Sequence, residues 1–112
     1  MKLKLVMIRT QYLEDAVNFY SLLGLVFQYH QHQNSPFHYS TTINGTIFEI
    51  YPLAKGQENA DKYTRLGFEV EDLQKTIKKL KEANFDVSQP QQTEFGIIAI
   101  AIDPDGRKVE IY

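Results

Sequence analysis

The apolar positions of the chain follow two periods, the three-to-four spacing of helices and the alternation of strands. Residues 13–23 and 73–83 have the helical spacing, and each run is followed by a residue that favours a helix end, Gly24 and Asn84. The other apolar runs are shorter, and they are typical of strands. The predicted strands are residues 2–9, 26–33, 37–43, 46–51, 64–70, 85–89, 95–102 and 107–112.

The two halves of this element order repeat each other. Residues 44–51 read NGTIFEIY and residues 105–112 read DGRKVEIY, so Glu49 and Glu110 coincide at an offset of 61. We therefore predict an α+β fold of two tandem β-α-β-β-β modules, which pack together because neither can bury its apolar face alone. This arrangement places the two glutamates around one shared cleft. The predicted bounds are a single domain of residues 1–112, a first module of 1–53, a linker of 54–61 and a second module of 62–112.

The strand period of two assigns side chains to the two faces of each predicted sheet. One face packs against the helices, and the other, here called the cup face, is open. In residues 97–102 the alternation predicts that Ala99 and Ala101 line the cup, where small side chains leave room for a ligand. The same alternation predicts Phe48, Ile50, Ile98, Ile100, Ile102, Val109 and Ile111 on the helix side, and Leu3, Leu5, Met7, Glu49, Tyr51, Arg65, Gly67, Glu69, Lys108, Glu110 and Tyr112 on the cup face.

The dipeptide Asn44-Gly45 is a strong signal for a two-residue hairpin turn, and it fixes the register of the strands on either side. If Ile43 pairs with Thr46, then Ser40 lies opposite Glu49. By the same count His38 lies opposite Tyr51 and shares the cup face with Glu49. His38 is therefore a candidate for chemistry in the cup, as a general base or as a contact to a substrate.

Composition narrows the classes of function. The 112 residues carry a net charge of −2, which gives no electrostatic reason for binding nucleic acid or an acidic membrane. The absence of cysteine excludes disulfides, thiolate metal sites and a cysteine nucleophile. The N-terminal apolar stretch is too short for a signal peptide, so the cytoplasm is the expected location.

Two segments resemble a known superfamily. Residues 16–25, AVNFYSLLGL, are similar to the first-helix signature of the vicinal-oxygen-chelate superfamily, and residues 103–112, DPDGRKVEIY, are similar to its closing hairpin. This superfamily includes lactoylglutathione lyase (glyoxalase), extradiol dioxygenases and bleomycin-resistance proteins. The resemblance implies a cup-shaped half-barrel that is usually built into homodimers. It also implies four metal-ligand positions, one on each of four strands.

In this chain the four ligand positions fall on Leu5, Glu49, Arg65 and Glu110. A leucine offers no donor atom, and an arginine is effectively always protonated, so two of the four ligands are lost. A guanidinium at position 65 can instead replace the charge of the metal and bridge the two carboxylates. We therefore expect a metal-free cup that binds a small molecule. If the cluster is buried, replacing Arg65 with alanine should destabilise the fold by a few kcal/mol, on the order of the cost of breaking a buried pair.

Other functions remain open on the sequence alone. One is a metal-dependent lyase, similar to lactoylglutathione lyase, or a dioxygenase, which would hold Zn, Ni, Fe or Mn. Its non-standard ligand set would include Glu49, Glu110 and His38, together with a ligand from a dimer partner. Another is a metal-free enzyme that uses a cup histidine or glutamate as its base. A structural or regulatory module without a small ligand is a further possibility. His30, His32 and His38 together resemble a metal-ligand cluster, but His30 and His32 lie on a predicted edge strand and are expected at the surface. The candidate catalytic residues are Glu110, Glu49 and His38, and the candidate ligand-binding residues are Arg65, Leu5, His38, Tyr51, Glu69, Ala101 and Tyr112.

Overall fold

The computed structural model of the chain describes residues 1–31 and 33–112, and these residues form two helices and eight strands. The first module contains β1 (Leu5–Thr10), α1 (Leu13–Ser21), β2 (Gln28–His30), β3 (His38–Ile43) and β4 (Thr46–Pro52). The second module contains β5 (Leu66–Phe68), α2 (Leu73–Glu82), β6 (Gln91–Thr93), β7 (Gly96–Ile102) and β8 (Lys108–Ile111). The predicted order of β-α-β-β-β, given twice, is confirmed.

The strands form two four-stranded mixed sheets that share one topology. The strand orders are β1-β4-β3-β2 and β5-β8-β7-β6, so the last strand of each module lies between the first strand and the third. The first and last strands are parallel, while the other pairs are antiparallel. This repeated topology places Glu49 on β4 and Glu110 on β8, each in the middle of its own sheet.

The two helices begin in different ways. The side chain of Asp72 caps α2, where its Oδ1 atom accepts a hydrogen bond of 3.0 Å from the backbone N–H of Lys75. Helix α1 has no side-chain cap, and burial of Ala16, Phe19 and Tyr20 holds it in place. Gly24 follows α1 with a φ of 109°, a left-handed conformation that glycine adopts at little cost.

One apolar core joins the two modules. The ring of Tyr20 on α1 packs at 5.3 Å against Phe48 of the first sheet and at 6.0 Å against Phe68 of the second. The buried cluster continues through Ile50 on β4 and Ile111 on β8. Both sheets therefore turn their helix sides toward a shared interior, and both cup faces point away from it.

A buried polar network also ties the second module to the first. Arg107 is 1% exposed, and its Nη1 atom donates to Asp103 Oδ2 at 3.1 Å. Its Nη2 atom donates to the backbone carbonyl of Arg9 at 2.6 Å. The Tyr20 hydroxyl donates to the same Asp103 carboxylate at 2.6 Å, and burial together with this carboxylate raises the pKa of Tyr20. The turn between β7 and β8 thus supplies the polar contacts that join the modules.

One predicted strand of the second module is wrong. Residues 85–89 contribute a single bridge, from Val87 to Ala101, and the edge strand of this sheet is β6. The three side chains of β6 are Gln91, Gln92 and Thr93, all exposed. Because an edge strand open on both faces carries no apolar alternation, the pattern gave no signal there.

The predicted faces of β7 are also reversed. Ala99 lies opposite Ile111 and Ala101 lies opposite Val109, and both alanines are fully buried on the helix side. Ala101 is therefore a core residue and does not line the cup. Ile100 lies opposite Glu110, so Ile98, Ile100 and Ile102 are on the cup face.

Within residues 1–31 and 33–112, neither helix has the length and apolar character needed to cross a lipid bilayer.

Candidate functional site

The cup face of the first module centres on His38 and Glu49. The predicted hairpin register is confirmed, with Ile43 opposite Thr46 and Ser40 opposite Glu49. His38, two residues before Ser40, comes next to Glu49 on the same face. Its Nε2 atom lies 3.5 Å from Glu49 Oε2, and the two side chains are 0% and 16% exposed. The cup thus holds a buried imidazole beside a carboxylate that still reaches solvent.

Two further contacts fix the orientation of the His38 ring. Its Nδ1 atom lies 3.0 Å from the backbone carbonyl of Pro36, and because a carbonyl only accepts, Nδ1 carries the proton and donates. The ring stacks on Tyr51, with centroids 4.1 Å apart and an interplanar angle of 8°. Nε2 is therefore the atom that His38 turns toward Glu49.

His30 completes a group of three side chains. It lies directly opposite His38 on the edge strand β2, and the two ring centroids are 4.3 Å apart. One ligand atom each from His30, His38 and Glu49 lie within 4.8 Å of one another, a spacing at which the three side chains can hold a metal ion. The neighbouring candidate His32 lies outside the described residues.

Tyr51 forms one wall of this group. The guanidinium of Arg9 lies over its ring, 5.3 Å from the centroid, on β1 beside β4. Burial raises the pKa of Tyr51, and the nearby Glu49 charge raises it further. The phenol therefore remains protonated at neutral pH and serves as a neutral wall of the cup.

The cup face of the second module has different chemistry. The Nε atom of Arg65 lies 3.5 Å from Glu110 Oε2, and the two side chains are 51% and 27% exposed. The Tyr112 hydroxyl donates to Glu110 Oε1 at 3.1 Å, and this bond raises the pKa of Tyr112. Gly67 lies opposite Glu110, where a Cβ atom would be 3.3 Å from the Tyr112 ring. Glycine at this position leaves room for the tyrosine ring to approach its glutamate partner.

A cavity of about 620 Å³ opens on this second face. Its floor is formed by Ile98 and Ile100 of β7, with Phe95 at one side and the Arg65–Glu110 pair at another. The polar residues Ser88, Gln91, Thr93 and Glu94 line the rest. The lining combines an apolar surface with one ion pair, and all of it comes from the second module.

The predicted Arg65 bridge between two carboxylates is only half present. Among the described residues Arg65 has an ion pair with Glu110 and none with Glu49, which lies in the other sheet beside His38. Leu5 is half exposed on β1, and Glu69 is exposed just after β5. The structure therefore groups His38, Glu49 and Tyr51 on one cup face, and Arg65, Glu110 and Tyr112 on the other.

Sequence reasoning considered His30 as part of a histidine cluster but expected it at the surface, and it assigned Ile98 to the wrong face. The pairing of His30 with His38 could not be counted, because residues 31–37 carry no two-residue turn signal in the sequence. Ile98 was assigned to the helix side, because residues 97–102 are apolar throughout and lack a polar residue to mark the solvent face. In principle, the pairing of β7 with β8 was a usable signal, since Ala99 must share a face with Ile111 if it lies opposite that residue.

Comparison with known proteins gives one family and a large group of similar folds. Residues 2–111 match the model of the Glyoxalase/Bleomycin resistance protein/Dioxygenase superfamily. No curated protein sequence matches the chain.

Several solved structures are similar over almost the whole chain. Oxidase ChaP-H2 aligns with a TM-score of 0.78 and 17% identity, covering 99% of this chain and 91% of its own. TnmS3, an antibiotic binding protein from Streptomyces sp. CB03234, aligns with a TM-score of 0.76 and 19% identity, covering 99% and 93%. A glyoxalase family protein from Enterococcus faecalis aligns with a TM-score of 0.71 and 20% identity, covering 98% and 95%. At these identities the likeness establishes the fold.

Proposed function

The chain belongs to the Glyoxalase/Bleomycin resistance protein/Dioxygenase superfamily, and from this premise we propose that it binds a small organic molecule in the cup of its second module. The cavity of about 620 Å³ carries this proposal. Its size is typical of a small-molecule site, as is an apolar lining with a few polar groups. The chemistry of the lining favours an aromatic ligand with one charged or strongly polar substituent.

The ligand would use two kinds of contact. Phe95, Ile98 and Ile100 offer an apolar surface to a ring system. Arg65 and Glu110 offer a donor and an acceptor for the polar substituent, and both remain partly accessible to solvent. One relative of the same fold, TnmS3, is described as an antibiotic binding protein, which supports a binding role for a cup of this shape.

The four superfamily ligand positions do not fit a divalent metal in this chain. Leu5 has no donor atom, and Arg65 places a permanent positive charge 3.5 Å from the carboxylate of Glu110. A metal ion at that point would meet a cation instead of a ligand. The proposed binding at the second cup face therefore uses no metal.

Isothermal titration with bleomycin and a panel of planar aromatic antibiotics tests the proposal. We expect at least one compound of the panel to bind the full chain and to raise its unfolding temperature. Replacing Ile98 with arginine would fill the cavity, so the affinity should fall at least tenfold. Ile97→Arg is the matched control, because Ile97 lies on the other face of β7, is 53% exposed and should leave the affinity unchanged. Equal loss in both variants would contradict the proposed cavity.

The same premise supports a homodimer. Three apolar side chains share one face on or beside β1, and each is 41–64% exposed: Leu3, Leu5 and Met7. A cluster of exposed apolar side chains is typical of a surface that contacts another protein. A second copy that laid its second cup face over this surface would cover them and enclose the cavity. Sedimentation velocity should then give twice the monomer mass. The variant Leu5→Asp should shift the chain to monomer, whereas Val26→Asp, at an exposed loop position away from this face, should not.

A second candidate function is catalysis at the first cup face. It is favoured by the separation of 3.5 Å between His38 Nε2 and Glu49 Oε2, since a carboxylate beside an imidazole is a common general-base arrangement. One relative of the fold is named an oxidase. An assay of lyase activity on glutathione adducts of methylglyoxal, and of dioxygenase activity on catechols, tests this function. Activity lost in Glu49→Gln and kept in Glu110→Gln would place catalysis at the first cup face.

A further inference from the structure

We propose that His30, His38 and Glu49 form a zinc site within the first module. This site uses only one of the superfamily ligand positions, Glu49, and takes its other two ligands from β2 and β3. It does not depend on ligand binding at the second cup face. Three neighbouring strands, β2, β3 and β4, supply one ligand each, so the sheet itself fixes their spacing.

The distances fit the ion. Zinc binds histidine nitrogen and carboxylate oxygen at about 2.0–2.2 Å, so two ligands of a tetrahedral site lie about 3.4 Å apart. The separation between His38 Nε2 and Glu49 Oε2 is 3.5 Å. The ligand atoms of all three side chains lie within 4.8 Å of one another.

The hydrogen bond of the His38 ring also supports a metal site. Its Nδ1–H donates to the carbonyl of Pro36 at 3.0 Å, which leaves the lone pair of a neutral ring on Nε2. Histidines that bind metals almost always donate their other N–H to a carbonyl or a carboxylate, because this fixes the tautomer and the ring orientation. A cation placed between Nε2 and Glu49 Oε2 would be bound by both atoms, which lie 3.5 Å apart.

The type of ligand set selects the metal. Two imidazoles and one carboxylate suit a borderline transition-metal ion, and they bind zinc more tightly than manganese or iron(II). Three protein ligands leave a fourth position for water or for an oxygen atom of a ligand. Glu49 is 16% exposed, so this fourth position faces the open side of the cup.

Titration of chelator-stripped full-length protein with ZnCl₂ tests the proposal, with the zinc content measured by elemental mass spectrometry after gel filtration. We expect about one zinc per chain. His30→Asn and Glu49→Gln should each weaken zinc binding at least tenfold. His38 is fully buried, so His38→Gln is a supporting variant only if its circular dichroism matches the parent. Co²⁺ in place of zinc should give the visible absorption of a tetrahedral site.

Glu110→Gln is the matched control, because Glu110 holds the position of Glu49 in the second module and is the other glutamate among the superfamily ligand positions. Its zinc affinity should equal that of the parent. Three results would overturn the proposal: no zinc retained by the parent, unchanged affinity in His30→Asn, or an equal loss in Glu110→Gln and Glu49→Gln. Zinc retained by the parent and lost only in the first-module variants would establish the site, whether or not the second cup face binds a small molecule.

Discussion

The two cup faces come from one repeated unit, yet they hold different chemistry. Glu49 on the first face adjoins a buried imidazole, whereas Glu110 on the second face pairs with a half-exposed guanidinium. On the first face the ring of His38 stacks on Tyr51 and lies against His30, whereas the second face opens into a cavity of about 620 Å³. The same glutamate at the same point of the topology is thus a candidate metal ligand in one module and part of a candidate binding pocket in the other.

The pairing of the strands shows that this difference comes from a few residues next to each glutamate. Ser40 lies opposite Glu49 as Ile100 lies opposite Glu110, so Ile98 takes the place of His38. Across the next pair of strands, Gln91 lies opposite Ile98 as His30 lies opposite His38. Two substitutions between modules therefore replace two imidazoles with an amide and an apolar side chain. The backbone places the glutamates, and the strands beside them decide their chemistry.

Breaking the scaffold that both faces share should have the largest effect. Arg107 is buried and contacts two carboxylates and the backbone of Arg9, so Arg107→Met should cost about 3–5 kcal/mol of unfolding free energy. Urea unfolding followed by circular dichroism measures this cost. The adjacent exposed residue provides the control, since Lys108→Met should change stability by no more than about 0.5 kcal/mol. A loss confined to one module would show that the faces do not share a scaffold.

A second variant removes a contact between α1 and the turn that joins β7 to β8. Tyr20→Phe removes the hydroxyl that donates to Asp103, and it should cost about 2 kcal/mol, the scale of a buried hydrogen bond to a charged group. The raised pKa of Tyr20 keeps the folded phenol protonated, while the unfolded phenol ionises above about pH 10. The unfolded state then binds fewer protons, so the stability of the parent should fall as the pH rises above about 10.

This decline should be weaker in Tyr20→Phe, which urea midpoints between pH 8 and pH 11 would resolve. Tyr12→Phe is the control, because Tyr12 is 49% exposed and should neither lose stability nor change the pH profile. Parallel declines in the parent and in Tyr20→Phe would assign the alkaline sensitivity to another group.

Transplanting the first face onto the second sharpens the comparison further. In an Arg65→Ala background, which removes the guanidinium 3.5 Å from Glu110, the double variant Gln91→His/Ile98→His places two imidazoles beside that glutamate, as His30 and His38 lie beside Glu49. We expect a second zinc equivalent, and zinc at ten times the Kd of that site should add about 1.4 kcal/mol of stability. Gln92→His/Ile97→His is the control, since these residues take the opposite faces of the same strands. Failure to gain zinc would mean that the Pro36 carbonyl is as necessary as the ligands.

The smallest expected effect belongs to Arg65. Its pair with Glu110 is half exposed, so Arg65→Ala should change stability by about 0.2–1 kcal/mol, well below the few kcal/mol that a buried bridge between two carboxylates predicts. Thermal unfolding at low and high salt measures this difference. A loss of several kcal/mol would show that Arg65 reaches a second carboxylate, such as one supplied by a partner copy.

Much of the fold could be predicted because turns and periods carried local information. Asn44-Gly45 allows only a two-residue loop, so the register from Ser40 to Glu49 could be counted from the sequence. The helices were recognisable because their apolar spacing ends at Gly24 and Asn84, both of which adopt a positive φ. The glutamates could be placed because the repeat aligns them.

The rest could not be predicted because it depends on contacts between distant segments. Residues 97–102 are apolar on both faces, and the loop from Asp103 to Arg107 is too long to fix whether an alanine or an isoleucine lies opposite Val109. The ion-pair partner of Arg65 depends on the relative orientation of the two modules. No local sequence pattern predicts that orientation. The pairing of His30 with His38 could not be counted either, because the sequence between them gives no turn type.

The three-residue edge strands also bear on the solubility of the chain at high concentration. Within residues 1–31 and 33–112, no further strand pairs with the outer side of β2 or of β6, and such edges can recruit other chains into continuous sheets. Each edge here offers only three residues, and β6 carries two glutamines and a threonine without an aliphatic side chain. A strand this short and polar gives an incoming chain few backbone bonds and no apolar surface. At β6 the second module therefore limits the recruitment of other chains while leaving its cup face free to vary.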